Sequence, residues 1–474
     1  MAKITHLPQR RKAPLIWLLL SRFHYFQLFM YFWSAKPIMM KRYYFMAIFL
    51  LLGTLTLYSQ DSLSIYYPGD TLLMAQGPVM NDSVRHGVWT TYYRNGAKES
   101  QGRMQEGQHV GVWHYWYRYG TKWKVRHYDN GVDSTWYATG VVKSAGEVLA
   151  GAKQGTWKYY YPDGILKEKA HYEKGLKQGM AISWFENGVP SFEGAFVDDS
   201  LSGYCYWWRE TGQPEMEGTV EKDLQQGVWK FYHPDGTLGS TGPFRNGVRH
   251  GEWIYYYESG EKWKKGRFQY GLREGEWVFW YPHGGVHHRG AFLNDKEQGL
   301  WKQWYPDGQL SYQGEFHEGE MHGRWEGWYE DGKKKYLNHY RHNQRDGESV
   351  YWYQNGRKKY QGNFREGMRD GSWEEWSQGG TPICKGAYKK DAKEGQWTFY
   401  DQAGIPVREQ SFRENRPEGD WTSFHANRKK SGEGTYKEGN KEGEWNFYDE
   451  EGRKIRTIIY HKNVIVKRVQ PQSR

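Results

Sequence analysis

The chain has 474 residues, among them 26 Trp, 39 Tyr, 20 Phe and 58 Gly, a composition that favours flat aromatic ribbons and turns over a set of ordinary aliphatic cores. Eight of its 66 Lys and Arg lie in residues 1–59, which contain no Asp or Glu, so the rest of the chain has 58 basic and 55 acidic residues. This near balance argues against a basic stripe for phosphate backbones, and we expect no nucleic-acid partner.

The N-terminal segment predicts export. Residues 40–59 have the pattern of a signal peptide, in which Lys41 and Arg42 precede an apolar stretch. Cleavage is expected near Ser59-Gln60, which would deliver the protein to the periplasm, the outer surface or the exterior of the cell.

Residues 1–39 are interpreted as a mis-called N-terminal extension, with the true start at Met40. The alternative is a protein anchored in a membrane by its N-terminus. Arg22 lies in the middle of the first apolar stretch, where a charge would be costly in a membrane, so the signal peptide is the favoured interpretation.

The following segments are repetitive. Residues 60–86 predict an incomplete opening hairpin, residues 87–460 a repeat array, and residues 461–474 a basic tail. Each repeat opens at a glycine, which we number position zero, and the step is 24 residues except for one step of 20. The sixteen opening glycines are Gly87, Gly111, Gly131, Gly155, Gly179, Gly203, Gly227, Gly251, Gly275, Gly299, Gly323, Gly347, Gly371, Gly395, Gly419 and Gly443.

The first half of the repeat predicts a strand and a turn. Trp stands at position two in twelve of the sixteen repeats, an aromatic residue at position five in all, and Gly at position nine in fifteen, often within Pro-Asp-Gly. Short aromatic runs separated by such turns are typical of strands. We expect the position-five aromatics to lie on the opposite sheet face from the position-two Trp, unless a bulge shifts the register.

The second half predicts the returning strand and a connecting turn. Position fifteen is Gly in eleven repeats, and position seventeen is commonly an apolar or aromatic residue. We expect an indole over this glycine, flanked by the position-seventeen ring of the preceding hairpin. Position twenty is always Gly, Asp or Asn, residues that tolerate a left-handed backbone, so a tight turn with positive φ should join successive hairpins.

The pattern Gly-x-Trp-x-x-Tyr-Tyr-x-x-Gly, followed by Gly-x-Phe-x-x-Gly-x-x-x-Gly, resembles the bacterial variant of the MORN repeat. The resemblance covers roughly residues 64 to 460 and implies a meandering antiparallel β-sheet solenoid. It also implies a scaffold or binding role. Some chains of this type are labelled antitoxin components, and phospholipid binding has been proposed for some MORN proteins.

The predicted fold class is all-β: an elongated single-layer antiparallel β-meander solenoid of about sixteen 24-residue β-hairpin repeats. If about 32 strands lie ~4.8 Å apart, a monomer would extend ~150 Å. Small-angle scattering from residues 60–474 measures this length directly.

The predicted function is binding through an aromatic sheet face. A single-layer sheet has no second layer to cover both faces, so the position-five aromatics are candidates for a stacking surface. A protein partner is the first expectation and a cell-wall glycan or a membrane lipid the next. Mutual packing of these rings, and an antitoxin or immunity role against a partner toxin, are the competing interpretations. The candidate residues are Trp184, Trp208, Trp280, Trp304, Trp328, Trp352 and Trp376.

Neither catalysis nor a cofactor is predicted, because a uniform repeat offers no shared cleft for a catalytic pair. The densest histidine cluster, His283, His287 and His288, lacks accompanying Cys or carboxylate ligands, and no metal site is assigned to it. Cys205 and Cys384 lie more than seven repeats apart and are not expected to form a disulfide.

Overall fold

The computed structural model describes residues 62–470. The expected extension, signal peptide and cleavage bond therefore lie outside the described residues. In the described part every regular element is a strand, and none of it is a helix long and apolar enough to cross a membrane. The strands are β1 (Ser62–Tyr66), β2 (Leu73–Met80), β3 (Val84–Arg85), β4 (Gly87–Tyr92), β5 (Lys98–Gln105), β6 (Gln108–Trp116), β7 (Lys122–His127), β8 (Gly131–Trp136), β9 (Val142–Leu149), β10 (Ala152–Tyr160), β11 (Leu166–Glu173), β12 (Leu176–Trp184), β13 (Pro190–Val197), β14 (Ser200–Leu201), β15 (Gly203–Trp208), β16 (Pro214–Glu221), β17 (Leu224–Tyr232), β18 (Leu238–Arg245), β19 (Val248–Arg249), β20 (Gly251–Tyr256), β21 (Lys262–Gln269), β22 (Leu272–Trp280), β23 (Val286–Leu293), β24 (Lys296–Trp304), β25 (Leu310–His317), β26 (Glu320–Trp328), β27 (Lys334–Arg341), β28 (Gln344–Trp352), β29 (Lys358–Arg365), β30 (Met368–Trp376), β31 (Pro382–Lys389), β32 (Ala392–Tyr400), β33 (Pro406–Arg413), β34 (Arg416–Phe424), β35 (Lys430–Lys437), β36 (Asn440–Tyr448), β37 (Lys454–His461) and β38 (Val464–Val469).

The chain divides into two compact units. Of the described residues, the smaller one comprises 62–89 and Met104–Gln108, and within it β1 pairs with β2 as an antiparallel hairpin inside the segment 60–86. The larger one comprises Thr90–Arg103 and, of the residues that follow, 109–470. Within this larger unit the strands form an antiparallel meander, in which β14 and β19 are short leading pieces of β15 and β20. The predicted all-β meander of hairpin repeats is confirmed.

The C-terminal segment is partly regular. Residues 464–469, within the segment expected to be a basic tail, form β38 and pair with β37.

Two kinds of turn alternate along the meander. In the Pro-Asp-Gly loop, Gly164 has φ 93°, and Tyr161 donates its N–H to the carbonyl of Ile165 at 2.8 Å. The connecting turn is left-handed at two residues, since Asn246 has φ 51° and Gly247 has φ 77°. The expected positive φ at position twenty is confirmed. Position nineteen shares it, which gives the two-residue hairpin that matches the right-handed twist of paired strands.

One face of the larger unit, which we call the packed face, carries positions two, four, thirteen, fifteen and seventeen. Trp253 at position two is fully buried, and its indole covers Gly242, where an added Cβ would overlap the ring. Phe244 lies against the same indole with ring centroids 5.1 Å apart in an edge-on arrangement. The predicted combination of indole, glycine and flanking ring is confirmed. The glycine that the indole covers belongs to the preceding hairpin, although Trp253 is also in register with Gly266 on the next strand.

Repeats without Trp at position two fill the packed face in other ways. Ala181 pairs with Ala170, and both are buried. Ser349 pairs with Asn338 and donates its hydroxyl to the Asn338 amide oxygen at 2.6 Å. In these two repeats loss of the indole is accompanied by a larger residue at position fifteen of the preceding hairpin, whereas Cys205 still faces Gly194.

Position four was not assigned to the packed face by the sequence pattern, yet it supplies a second series of rings there. Phe231, Tyr255 and Phe279 pack against the buried cluster that contains Trp253 and Trp277. Positions two and four point to the same side because strand side chains alternate.

Candidate binding face

The seven candidate tryptophans occupy equivalent places, since each is the last residue of the first strand of its hairpin. The bulge expected as a complication falls on the returning strand: Phe279 pairs with His288 and Trp280 with Val286, so His287 is the extra residue. The first strand pairs regularly with the returning strand from Gly275 to Phe279, so its alternation from position two to position five is intact. Its pairing with the preceding strand is irregular between Glu274 and Val278. The tryptophans lie on the face opposite the buried position-two Trp, which we call the open face, and all seven are partly exposed.

Successive members of the row are separated by a strand. Trp280 ends β22 and Trp304 ends β24, with β23 between them. Two strand spacings amount to ~10 Å. In the described part of the chain no aromatic pair joins two of the seven candidate rings, whereas the packed face has many such pairs. Each ring is therefore a separate feature of the open face.

Cations of the chain itself cover several of these rings. The Lys358 ammonium lies 5.7 Å from the centroid of Trp376, and the Arg289 guanidinium lies 5.5 Å from that of Trp304. Position-five residues outside the candidate set show the same contact, with Lys98 and Lys122 each 5.9 Å from a Trp ring. The aromatic rings of the open face are therefore placed so that they can interact with cations.

A series of hydrogen bonds from tyrosine hydroxyls, which we call the hydroxyl ladder, holds the backbone under the row. The sequence pattern did not predict these bonds. Tyr281 at position six donates its hydroxyl to the carbonyl of Trp304 in the next repeat at 2.9 Å, and Tyr305 does the same to Trp328 at 2.9 Å. Phe185 has no hydroxyl, so the equivalent bond to Trp208 is missing. The recurrence of Tyr at position six was visible in the sequence, but its acceptor, a backbone carbonyl 23 residues later, was not.

Charged residues lie between the rings. Glu217 accepts hydrogen bonds from the Lys230 ammonium and the Tyr232 hydroxyl, each at 2.8 Å. Burial of Glu326 opposes its ionisation, but hydrogen bonds from neighbours that include Lys334 outweigh this and lower its pKa to about 2. Both carboxylates are therefore anionic near neutral pH.

The histidine cluster has structural contacts. His283 makes a hydrogen bond with the carbonyl of Pro306 at 2.8 Å, and His288 stacks on Phe279 with ring centroids 4.0 Å apart. His287 and His288 share a hydrogen bond between Nδ1 atoms 3.1 Å apart. Residues 62–470 contain no group of three or more His, Cys, Asp or Glu arranged to hold a metal ion.

The two cysteines are free, and both are buried in the packed face. Burial is the main cause that raises the pKa of each thiol, Cys205 and Cys384, to about 11. Thiols with such a pKa are poor nucleophiles at neutral pH.

The fold and this face define a β-hairpin repeat protein with one packed and one open sheet face. Six segments match the family described as MORN repeat variant, namely residues 85–105, 153–174, 225–246, 249–270, 297–318 and 321–342. The chain belongs to this family of MORN repeat proteins. No curated protein matches it.

Solved structures give only a weak likeness. The chain aligns over 84% of its length with 26% of a chain in the crystal structure of TcdB2-TccC3-Cdc42, at 11% identity and a TM-score of 0.15. It aligns over 85% with 30% of a chain in the Photorhabdus luminescens Tc holotoxin pore carrying the TccC3 mutation D651A, at 10% identity and a TM-score of 0.15. The chain thus spans less than a third of either, and TM-scores this low support no conclusion.

Proposed function

We propose that this protein is an exported, non-catalytic repeat scaffold that binds a protein partner through its open face. The observation that carries the proposal is the unequal use of aromatic residues on the two faces. Trp253, Trp277 and Trp397 on the packed face are at most 1% exposed. The seven candidate tryptophans at position five are partly exposed and do not pair with one another.

The spacing of the row defines the shape of the ligand. Candidate rings on adjacent repeats recur every ~10 Å, so a ligand that uses several of them must be extended. Each contact is then weak, and affinity arises from simultaneous contacts. Removal of one ring should therefore matter little, and removal of several should abolish binding.

The test compares three variants of the protein. Trp304→Ala is the single change, and Trp280, Trp304, Trp328 and Trp352 are replaced together by Ala in the second variant. The third variant replaces the same four by Tyr, which keeps an aromatic face at each place. Binding is measured by pull-down from cell extract with mass spectrometry, and by titration with cell-wall glycan fragments and phospholipid vesicles.

The expected result is near-normal binding by the single variant and by the fourfold Tyr variant, and loss by the fourfold Ala variant with an unchanged circular dichroism melt. An early melt of the fourfold Ala variant, with no ligand for the parent protein, would contradict the binding face and indicate a structural role for the rings. If the parent protein binds glycan fragments or vesicles and captures no protein, that ligand would replace the protein partner in the proposal.

Export is tested separately by cell fractionation. Antibody against the repeat array should detect the protein outside the cytoplasm, and N-terminal sequencing should begin at or near Gln60. Recovery of the full-length protein in the cytoplasm would contradict export.

A further inference from the structure

Two adjacent repeats differ in charge from the rest of the array. The repeats that open at Gly179 and Gly203, residues 179–226, contain nine Asp or Glu and two Lys or Arg, a formal charge of −7. The whole chain has a formal charge of +11. This part of the sheet is thus an acidic segment within a basic protein.

The open face of the same segment carries an unusual density of rings. Tyr204, Tyr206 and Trp208 occupy positions one, three and five of β15, and this is the one repeat of sixteen in which all three positions are aromatic. Neighbouring ring centroids are 5.0 Å and 5.7 Å apart. Tyr204 is 43% exposed and Tyr206 40% exposed, so these rings form an open strip along the strand. We name these three residues the β15 strip.

In the described part of the chain no Lys or Arg lies over the rings of this strip. Elsewhere on the open face, Lys98, Lys122 and Lys358 at position eleven of one hairpin reach the position-five ring of the next. The equivalent residue before Trp208 is Pro190, which carries no charge. Within residues 62–470 no Lys or Arg lies over any ring of the β15 strip, so these rings are open to a cation from outside.

Carboxylates flank the strip on both sides. Tyr206 pairs with Glu193 on β13 and with Glu217 on β16, which places the two acids beside it on the same face. The Glu217 carboxylate forms an ion pair with the Lys230 ammonium, with Oε1 and Nζ 2.8 Å apart, so its negative charge is balanced within the chain. Glu193 is partly exposed, and in the described part of the chain it makes no ion pair or side-chain hydrogen bond. Its charge is available to a ligand.

Apolar side chains extend the surface next to Glu193. Met180 is 51% exposed and pairs with Ala195 on the open face, while Ile182 pairs with Glu193 itself. The methylene stem of Lys or Arg packs on such a surface while its charged end reaches a carboxylate or an aromatic face. A neutral sugar would use the rings but would gain nothing from the acidic charge.

We propose that the β15 strip, with Glu193, binds a Lys- or Arg-rich extended peptide segment of a partner protein. This inference rests on the proposed function, because it specifies the partner chemistry of one part of the open face. Rings, carboxylate and local charge of −7 all favour a cation, and cations of the chain cover some equivalent rings elsewhere, such as Trp376, but none of the β15 strip.

The test titrates the purified protein with fluorescein-labelled octalysine and follows fluorescence anisotropy at about 0.05 M salt. A labelled Gly-Ser octapeptide and labelled octaglutamate serve as reference peptides. We expect octalysine alone to bind, with an affinity that falls as salt rises. Tyr206→Leu and Glu193→Gln should each weaken binding by about 3- to 30-fold. Tyr206→Phe keeps the ring and should stay within about twofold of the parent.

Two matched variants show whether the effect is local. Glu276→Gln removes an exposed open-face carboxylate from another repeat, and Trp304→Leu removes a ring that Arg289 already covers. Both should leave octalysine binding within about twofold. Equal weakening by Glu276→Gln would show that only total charge matters and would overturn the inference.

Two further outcomes also overturn it. One is octalysine affinity no higher than that of the Gly-Ser peptide. The other is binding of a neutral cell-wall hexasaccharide that Tyr206→Leu abolishes, in a protein that ignores octalysine. Either result leaves the proposed scaffold function intact, because the fourfold Trp variant contains none of the β15 strip. If the fourfold Ala variant kept its protein partner, the proposed function would fail, but the octalysine result would be unaffected.

Discussion

The packed face predicts a strong energetic coupling between Gly242 and Trp253. A Cβ on residue 242 would overlap the indole of Trp253, which is fully buried and donates its Nε1–H to the carbonyl of Pro243 at 3.0 Å. Overpacking of this kind costs about 1–3 kcal/mol, and loss of the indole hydrogen bond adds about 0.5–1.5 kcal/mol. Gly242→Ala should therefore destabilise the repeat by roughly 2–4 kcal/mol.

The same contact disappears when the indole is removed. Trp253→Ala alone should cost about 3–5 kcal/mol, because it leaves a cavity. In the double variant the new methyl group no longer meets a ring and fills part of that cavity. We expect the double variant to cost about as much as Trp253→Ala alone, which is a coupling of about 2–4 kcal/mol, equal to the cost of Gly242→Ala. The chain already contains such a pair in Ala170 and Ala181.

Amide hydrogen exchange, read by mass spectrometry on peptides from residues 227–274, is the appropriate assay. Repeats interact chiefly with their neighbours, so a global melt would dilute a local effect. Ala170→Gly is the matched control and should cost less than about 1 kcal/mol, since Ala170 is paired with Ala181 in place of a position-two Trp. Additive losses in the double variant would refute the overlap as the reason for glycine at position fifteen.

Three other changes test the turns, the hydroxyl ladder and the buried histidine. Val in place of either Gly247 or Asn246 should cost about 1–2 kcal/mol in local exchange protection, because φ is positive at both residues. Tyr305→Phe removes the hydrogen bond to the Trp328 carbonyl and should cost about 0.5–1.5 kcal/mol, confined to two repeats. Burial is the main cause that lowers the pKa of His288 from 6.5 to about 4. The unfolded chain is protonated first, so the unfolding free energy should fall as pH drops from 6.5 to about 4, and His288→Phe should flatten that slope in pH-dependent exchange.

The parts of the fold that depend on short-range chemistry could be predicted from the sequence. Left-handed turns restrict position twenty to Gly, Asp or Asn, and a ring over a strand requires glycine beneath it, so residue types alone indicated both. Ring contacts such as that between Phe268 and Trp277, 5.1 Å apart, follow from the same spacing. Each of these features leaves a residue preference at a fixed position.

Other features could not be predicted, because their partner is backbone or because several residue types satisfy them. The acceptor of the Tyr281 hydroxyl is a main-chain oxygen, which any residue supplies. Position nineteen has positive φ in fifteen of the sixteen repeats, Asn130 being the exception, but is occupied by residues as different as Tyr270, Lys390 and Glu438, so no preference marks it. Whether a Lys or Arg lies over a ring of the row depends on how far its side chain reaches across two strands. The spacing of residues in the sequence does not predict this.

Packing restricts residue choice more on the packed face than on the open face, and this difference explains why the β15 strip is a functional candidate. On the packed face a change at position two can be matched by a change at its partner, as Asn338 and Ser349 show. The open face has no such constraint: position three is Lys302 in one repeat and Val278 in another, and both repeats form the same hairpin. Tyr204 and Tyr206, at the variable positions one and three of β15, are therefore not needed for folding, whereas Trp208 stands at position five, which is aromatic in every repeat. Their exposure costs solvation without a packing gain, which favours retention for binding.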